Sequence, residues 1–159
     1  MTTIKREEFL KEVTIAYLAW QAILNLVSVA EMDQPMQPQG WSVKDVIAHI
    51  TWHEREMINL IRQMALIGSA LWQRPLDERN AAIYDLYKDK AFDEVLAEAE
   101  ETHIELIPLL ESLTDEQLND SSHFAEMPPE WLPWDLIAGN TFRHYRDHTD
   151  DLRNWLKGD

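Results

Sequence analysis

Four stretches of this 159-residue chain carry apolar side chains at every third or fourth position, and such stretches bury their stripes by packing helix on helix. Phe9, Val13, Ala16 with Tyr17, Trp20, Ile23 with Leu24, and Val27 mark the first, expected over residues 5–30. The segment EMDQPMQPQG, with Pro35, Pro38 and Gly40, ends it as a loop. The second is expected over 42–67. Ser42 suits the N-cap, Asp45 answers it three residues on, and Trp41 can staple onto Val46. Its stripe runs Val46, Ile50, Met57, Ile61 and Met64, and Gly68 and Ser69 loosen its far end.

The third helix is expected over 90–113 from an Asp89 cap, with Phe92, Leu96, Ala99, His103, Leu106, Leu110 and Leu113 on one face and a kink at Pro108. The fourth, over 133–156, opens at Pro133 and carries Ile137, Thr141, Tyr145, His148, Leu152 and Trp155. Between the second and third, Ala70 to Lys88 reads as a crossover with a short helical piece around Glu78–Tyr87, and Thr114 to Gln117 forms a capping box opening a short turn. The expectation is one all-α domain over residues 1–159, a four-helix bundle with a long crossover between helices 2 and 3.

Composition narrows the chemistry. Only 4 Gly occur, against a sheet-and-turn fold or a phosphate-cradling loop, and without Cys there is neither a disulfide nor a thiolate. Charges sit where a signal peptide would need its apolar run, and no stretch is long and apolar enough to span a membrane, so a cytoplasmic protein is expected. The net charge of −15, with no basic cluster to interrupt it, sets the expectation of no nucleic-acid partner.

Two histidine pairs then stand out, His49/His53 and His144/His148. Spacing i,i+4 places both rings of a pair on one side of a helix, one turn apart, where they can share a divalent ion. His148 lies on the stripe of its helix and His144 borders it. In the second helix, His53 follows the stripe most closely and His49 lies slightly aside, so periodicity allows either or both. The competing reading is a set of half-buried histidines bonded to local acceptors. His103 reads as a satisfied core histidine, and His123 carries no signal. The run HITWHERE approaches the composition of a zinc-protease helix in the wrong order. Glu56 is a candidate general base, with a surface carboxylate as the competing reading. Trp52, Asn80 and Tyr84 are candidates to line a pocket, as are Trp131 and Trp134; ordinary packing and turn formation account for all five equally well.

GWSVKDVIAHITWHEREM, RNAAIYDLYKD, LESLTDEQL and TFRHYRDHTDDLRNWL together resemble the DinB-like superfamily, and within it the ClbS/DfsB-type branch, over nearly the whole chain. The resemblance implies an up-down-down-up bundle, often a homodimer, with a divalent ion, zinc or nickel, on His49, His144 and His148. It favours His49 over His53. Some relatives use low-molecular-weight thiols as cosubstrates, and one activity of the near branch destroys a reactive genotoxin. The leading expectation is therefore a metal-dependent enzyme, a thiol transferase or hydrolase, acting on a small electrophilic or xenobiotic molecule. The alternative is a metal-free protein that binds and sequesters a small ligand or protects against stress.

Overall fold

The computed structural model describes residues 2–36 and 40–158. Gln37, Pro38 and Gln39 of the expected first loop lie outside the described residues. Within them the chain is all-α, with two isolated β-bridges and no sheet, and it forms seven α-helices rather than four. Four are long: α1 (Arg6–Leu24), α2 (Val43–Gln63), α4 (Phe92–Ser112) and α7 (Phe142–Leu156). Three are short: α3 (Leu76–Tyr87) in the crossover, α5 (Asp115–Asn119) and α6 (Pro133–Gly139).

The differences from the expected boundaries have local causes. α1 stops at Leu24 rather than Ala30 because Ser28 and Glu31 close a capping box that starts a separate 3₁₀ turn, Val29–Glu31. Val27 stays buried outside the helix, which is why the stripe overran it. α2 begins as expected, with Ser42 and Asp45 bonded reciprocally at 2.9 and 3.2 Å. It ends at Gln63, where Met64 turns left-handed at φ 47° and the chain leaves to meet a distant segment. There the Leu66 N–H donates to the Ala125 carbonyl at 2.7 Å, and the Ala125 N–H to that of Met64 at 2.9 Å. α4 is preceded by Ala91 instead of the expected Asp89 cap and runs on through Pro108. The Thr114–Gln117 box opens α5.

The expected fourth helix is two helices. Asn140 and Thr141 interrupt it, and their side chains turn back to the carbonyls of α6: Asn140 Nδ2 to Leu136 at 2.9 Å and Thr141 Oγ1 to Ile137 at 2.7 Å. These bonds satisfy carbonyls that a helix end leaves open.

α2 is the central element. It packs along α4 and also meets α3 and α7, while α1 lies along α7. Fifteen of its 21 residues are buried, so nearly every side of this helix is inside and helical phase cannot separate a core face from a solvent face. The core is filled by Phe9, Val13, Ile83, Leu106, Leu110, Ile137, Tyr145 and Leu152, with Phe9 edge-on to Phe142 at 5.5 Å. Each such side chain contributes about 1.5–3 kcal/mol on burial. Among the described residues, no helix is long and apolar enough to cross a membrane.

Candidate functional site

The contact between α2 and α7 brings four imidazoles together. His49 and His53 lie one turn apart on α2, with ring centres 4.6 Å apart, and His144 and His148 one turn apart on α7, 4.7 Å apart. Across the interface, His144 is 4.9 Å from His49 and 4.6 Å from His53, and His148 is 5.4 Å from His49. One nitrogen from each of His49, His53 and His144 lies within 4.8 Å of the other two. His148 stands beside this trio, with its Nε2 3.1 Å from Nε2 of His144. The structure thus assembles the expected His49, His144 and His148, and adds His53 at least as closely as His148.

Two side chains orient these rings. The Asn140 amide donates to the Leu136 carbonyl, which leaves its oxygen facing His53 Nδ1 at 2.8 Å. With Nδ1–H donating there, Nε2 of His53 carries the lone pair toward the cluster. Asp151 holds Nδ1 of His148 at 3.2 Å in the same way. Within the cluster, His49 Nδ1, His53 Nε2 and His144 Nδ1 are buried and make no hydrogen bond to a described residue. Buried polar atoms without partners are costly and rare, so they are a mark of a site that takes something in.

Burial also keeps the rings neutral. It lowers His53 to about 4, against the bond to Asn140, and His49 to about 2, with His53, His148 and Arg79 adding to the effect. His144 is lowered further still by burial and the other three rings. Burial lowers His148 too, while Asp151 opposes it. Neutral imidazoles with free lone pairs and no carboxylate among the nearest donors suit a borderline ion such as zinc or nickel, and poorly suit magnesium or calcium. The residues present fit the metal that the resemblance implied.

Next to the cluster lies a cavity of about 590 Å³ between α2 and the segments that carry Leu66–Gln73 and Glu126–Leu136. Leu60, Leu66, Gly68, Trp72, Trp131 and Leu136 form most of its wall. Trp72 joins the two features, since its ring packs 5.5 Å from His53 and 5.2 Å from Trp52. It stands where it does because residue 68 is Gly: a Cβ there would meet Trp72 Cδ1 at 2.7 Å. Glu56 also lines this cavity. It is buried rather than a surface carboxylate, and its Oε1 accepts from the Ser69 N–H at 3.0 Å. Burial raises its carboxyl above the ordinary range. A second cavity, about 440 Å³, reaches the cluster at His148 and is lined also by Trp41, Asp151 and Trp155.

The remaining candidates are dispersed. Trp52 is buried behind Trp72 and does not line either cavity. Asn80 is half-buried with an unpartnered Oδ1, and Tyr84 is 39% exposed; neither lines either cavity. Trp131 lines the larger cavity, whereas Trp134 donates its indole N–H to the Thr2 carbonyl at 3.1 Å. His103 is half-buried rather than in the core; it stacks on Tyr17 at 3.4 Å and brings Nδ1 to 3.5 Å from the Tyr145 hydroxyl. Sequence reasoning missed Trp72 and Asn140. The Gly68–Trp72 spacing was the available sign of the first, and Gly139-Asn140-Thr141 within a helical stripe of the second.

The DinB superfamily model matches residues 14–151, nearly the whole of this architecture. The chain belongs to the DinB superfamily. No protein of curated function matches it significantly. Among solved structures, this DinB chain is similar in fold to the sibling lethal factor precursor DfsB, with a TM-score of 0.83 at 17% identity over 99% of this chain and 98% of that one. It is similar to the colibactin self-resistance protein ClbS in complex with double-stranded DNA, with a TM-score of 0.78 at 15% identity over 99% and 98%. A protein from Escherichia coli UTI89 matches with a TM-score of 0.76 at 18% identity over 97% and 94%. The ClbS complex corrects the expectation that excluded nucleic acid. A member of this fold does contact DNA, and net charge, a sum over the whole surface, does not decide what a local patch can bind.

Proposed function

We propose that this DinB chain binds a small, mainly apolar molecule in the cavity walled by Trp72 and Trp131, in a protective role against reactive or xenobiotic compounds. The observation that carries this reading is the cavity itself, about 590 Å³ and lined by Leu60, Leu66, Trp72, Trp131 and Leu136. A recess of that size lined mainly by apolar and aromatic groups is the usual form of a small-molecule site. The description of ClbS as a self-resistance protein supports the protective role. Calorimetric titration with a neutral aromatic probe, naphthalen-1-ylmethanol, tests it. Saturable binding is expected, and Leu66→Trp, which fills the cavity, is expected to abolish it while circular dichroism stays unchanged. Equal binding by both proteins would refute the reading.

A second reading rests on a separate observation, the three unpartnered ring nitrogens of His49, His53 and His144. These residues, with His148, would hold a divalent ion, zinc or nickel. Such an ion supplies Lewis acidity and lowers the pKa of a bound water or thiol. That would make the chain a hydrolase or a transferase, and since it has no Cys a thiol would have to arrive as a low-molecular-weight cosubstrate. Glu56 is then the candidate base. Asn140 and Asp151 would fix the tautomers of His53 and His148, and Trp72 would keep water from one side of the cluster. Elemental analysis of untagged protein tests this: about one metal per chain is expected, lost in His144→Ala, and no uptake after reconstitution would refute it.

A further inference from the structure

The wall of the larger cavity has a charge character that apolar binding alone does not use. Two carboxylates line it, Glu56 and Glu126, and no Lys, Arg or His does. Glu56 is 7% exposed and forms no ion pair among the described residues. The donors beside it, the Ser69 N–H and the side chains of Trp72 and Asn59, are all neutral. The Ser69 N–H fixes Oε1, and Oε2 faces the space beside Gly68. A Cβ at residue 68 would lie 3.4 Å from Oε2, so glycine leaves that space open to the cavity. Trp72, whose indole edge is at the same spot, and Trp131 present aromatic surface around it. Glu126 sits at a left-handed φ of 64°, a conformation uncommon for a residue other than Gly, Asn or Asp, and adds negative charge at the exposed side.

A buried carboxylate without a cation is costly, and a ligand that brings one recovers that cost as a charge-assisted hydrogen bond. The Arg79 guanidinium already lies over the Trp72 ring at 4.8 Å, so Trp72 offers the ligand its edge, and the aromatic face that can favour an ammonium is that of Trp131. We infer that the cavity takes an amphiphilic amine, an apolar or aromatic body bearing one ammonium group, with Glu56 Oε2 accepting from the ammonium and Trp72 and Trp131 flanking the body. This rests on the reading of the cavity as a small-molecule site and names the class of molecule it selects. An anionic ligand would meet the Glu56 carboxylate unfavourably, so the cavity disfavours carboxylates and phosphates.

The test compares naphthalen-1-ylmethylamine with naphthalen-1-ylmethanol by calorimetry, on the wild-type chain and on Glu56→Gln. Glutamine keeps an oxygen for the Ser69 N–H and removes the charge. In the wild type the amine is expected to bind at least about tenfold more tightly than the alcohol, the scale of a hydrogen bond to a charged group. In Glu56→Gln the ratio of amine to alcohol affinity should collapse to within about twofold. An amine preference that survives in Glu56→Gln would assign it to the general negative charge of the chain and overturn the inference. Equal binding of amine and alcohol to the wild type would also overturn it, leaving the cavity as a neutral-ligand site. If neither probe binds, the small-molecule reading of the cavity fails as well.

Discussion

The carboxamide oxygen of Asn140 lies 2.8 Å from Nδ1 of His53, although the two residues are 87 positions apart in the chain. The same amide donates to the carbonyl of Leu136, a residue of the cavity wall, so one side chain ties the break between α6 and α7 to the histidine cluster and to the cavity. Asn140→Ala removes the group that selects the His53 tautomer. On the reading of the cluster as a metal site, zinc affinity, measured by competition with a chelator, is expected to fall about 10–100-fold. Stability should fall by about 1–3 kcal/mol, since Nδ1 of His53 is left buried and unpaired. Unchanged zinc affinity would show that His53 does not take part in metal binding.

The cluster sets an acid limit on the metal-free protein. His53 is held at about 4 and His49 at about 2, both below the ordinary 6.5, so below 6.5 the unfolded chain binds protons that the folded chain refuses. Their contribution to stability is complete above about 6.5 and is lost as pH falls from there through about 4 toward 2. The urea midpoint of metal-free protein is expected to drop between about pH 6 and 4.5, where the loss from the histidines outweighs the opposite contribution of the buried Glu54, and the drop should be smaller in His53→Gln. A flat midpoint over this range would contradict the burial assigned to the rings.

Glu54 sets a limit of the opposite sign. Its carboxyl is buried, accepts from the Tyr145 hydroxyl, and is pushed up to about 8, chiefly by burial. The folded chain therefore keeps a proton that the unfolded chain releases, and this contribution is present below about 4.5 and lost as pH rises through about 8. Glu54→Gln is expected to gain stability relative to the wild type as pH climbs through that window, read from melting curves. Tyr145→Phe removes the hydroxyl donor and should cost about 1–3 kcal/mol.

Gly68 is a spatial requirement of the cavity. In Gly68→Ala the new methyl would meet Trp72 Cδ1 at 2.7 Å and Nε1 at 2.9 Å, so the indole must shift. A stability loss of about 1–3 kcal/mol is expected, together with weaker binding of naphthalen-1-ylmethanol by calorimetry. Full retention of binding would show that the position of Trp72 does not shape the site.

Much of the architecture could be read from local pattern. Ser42 with Asp45 and Thr114 with Gln117 are self-contained capping boxes, and they open helices where expected. The stripe through Tyr145 and Leu152 follows the buried face of α7, which Phe142 and Thr149 complete, and the half-buried His148 stands at its edge. α2 resisted the same treatment because α3, α4 and α7 surround it, so the inward position of Glu56 had no signature in the apolar period. The resemblance chose His49 over His53, whereas the fold places both in one cluster. Asn140 depends on His53, and Trp72 on Gly68 and His53; the long-range member of each set becomes visible only after the chain has folded.

The most direct test of the central claim locates a bound molecule. Indole N–H resonances of ¹⁵N-tryptophan-labelled protein, assigned by single Trp→Phe variants, would be followed during titration with naphthalen-1-ylmethanol. Trp72 and Trp131 are predicted to shift saturably, while Trp20, packed in the core on α1, stays in place. Shifts confined to Trp41 and Trp155 would put the molecule in the other cavity, and an unchanged spectrum would mean no site at all; either result would contradict the account.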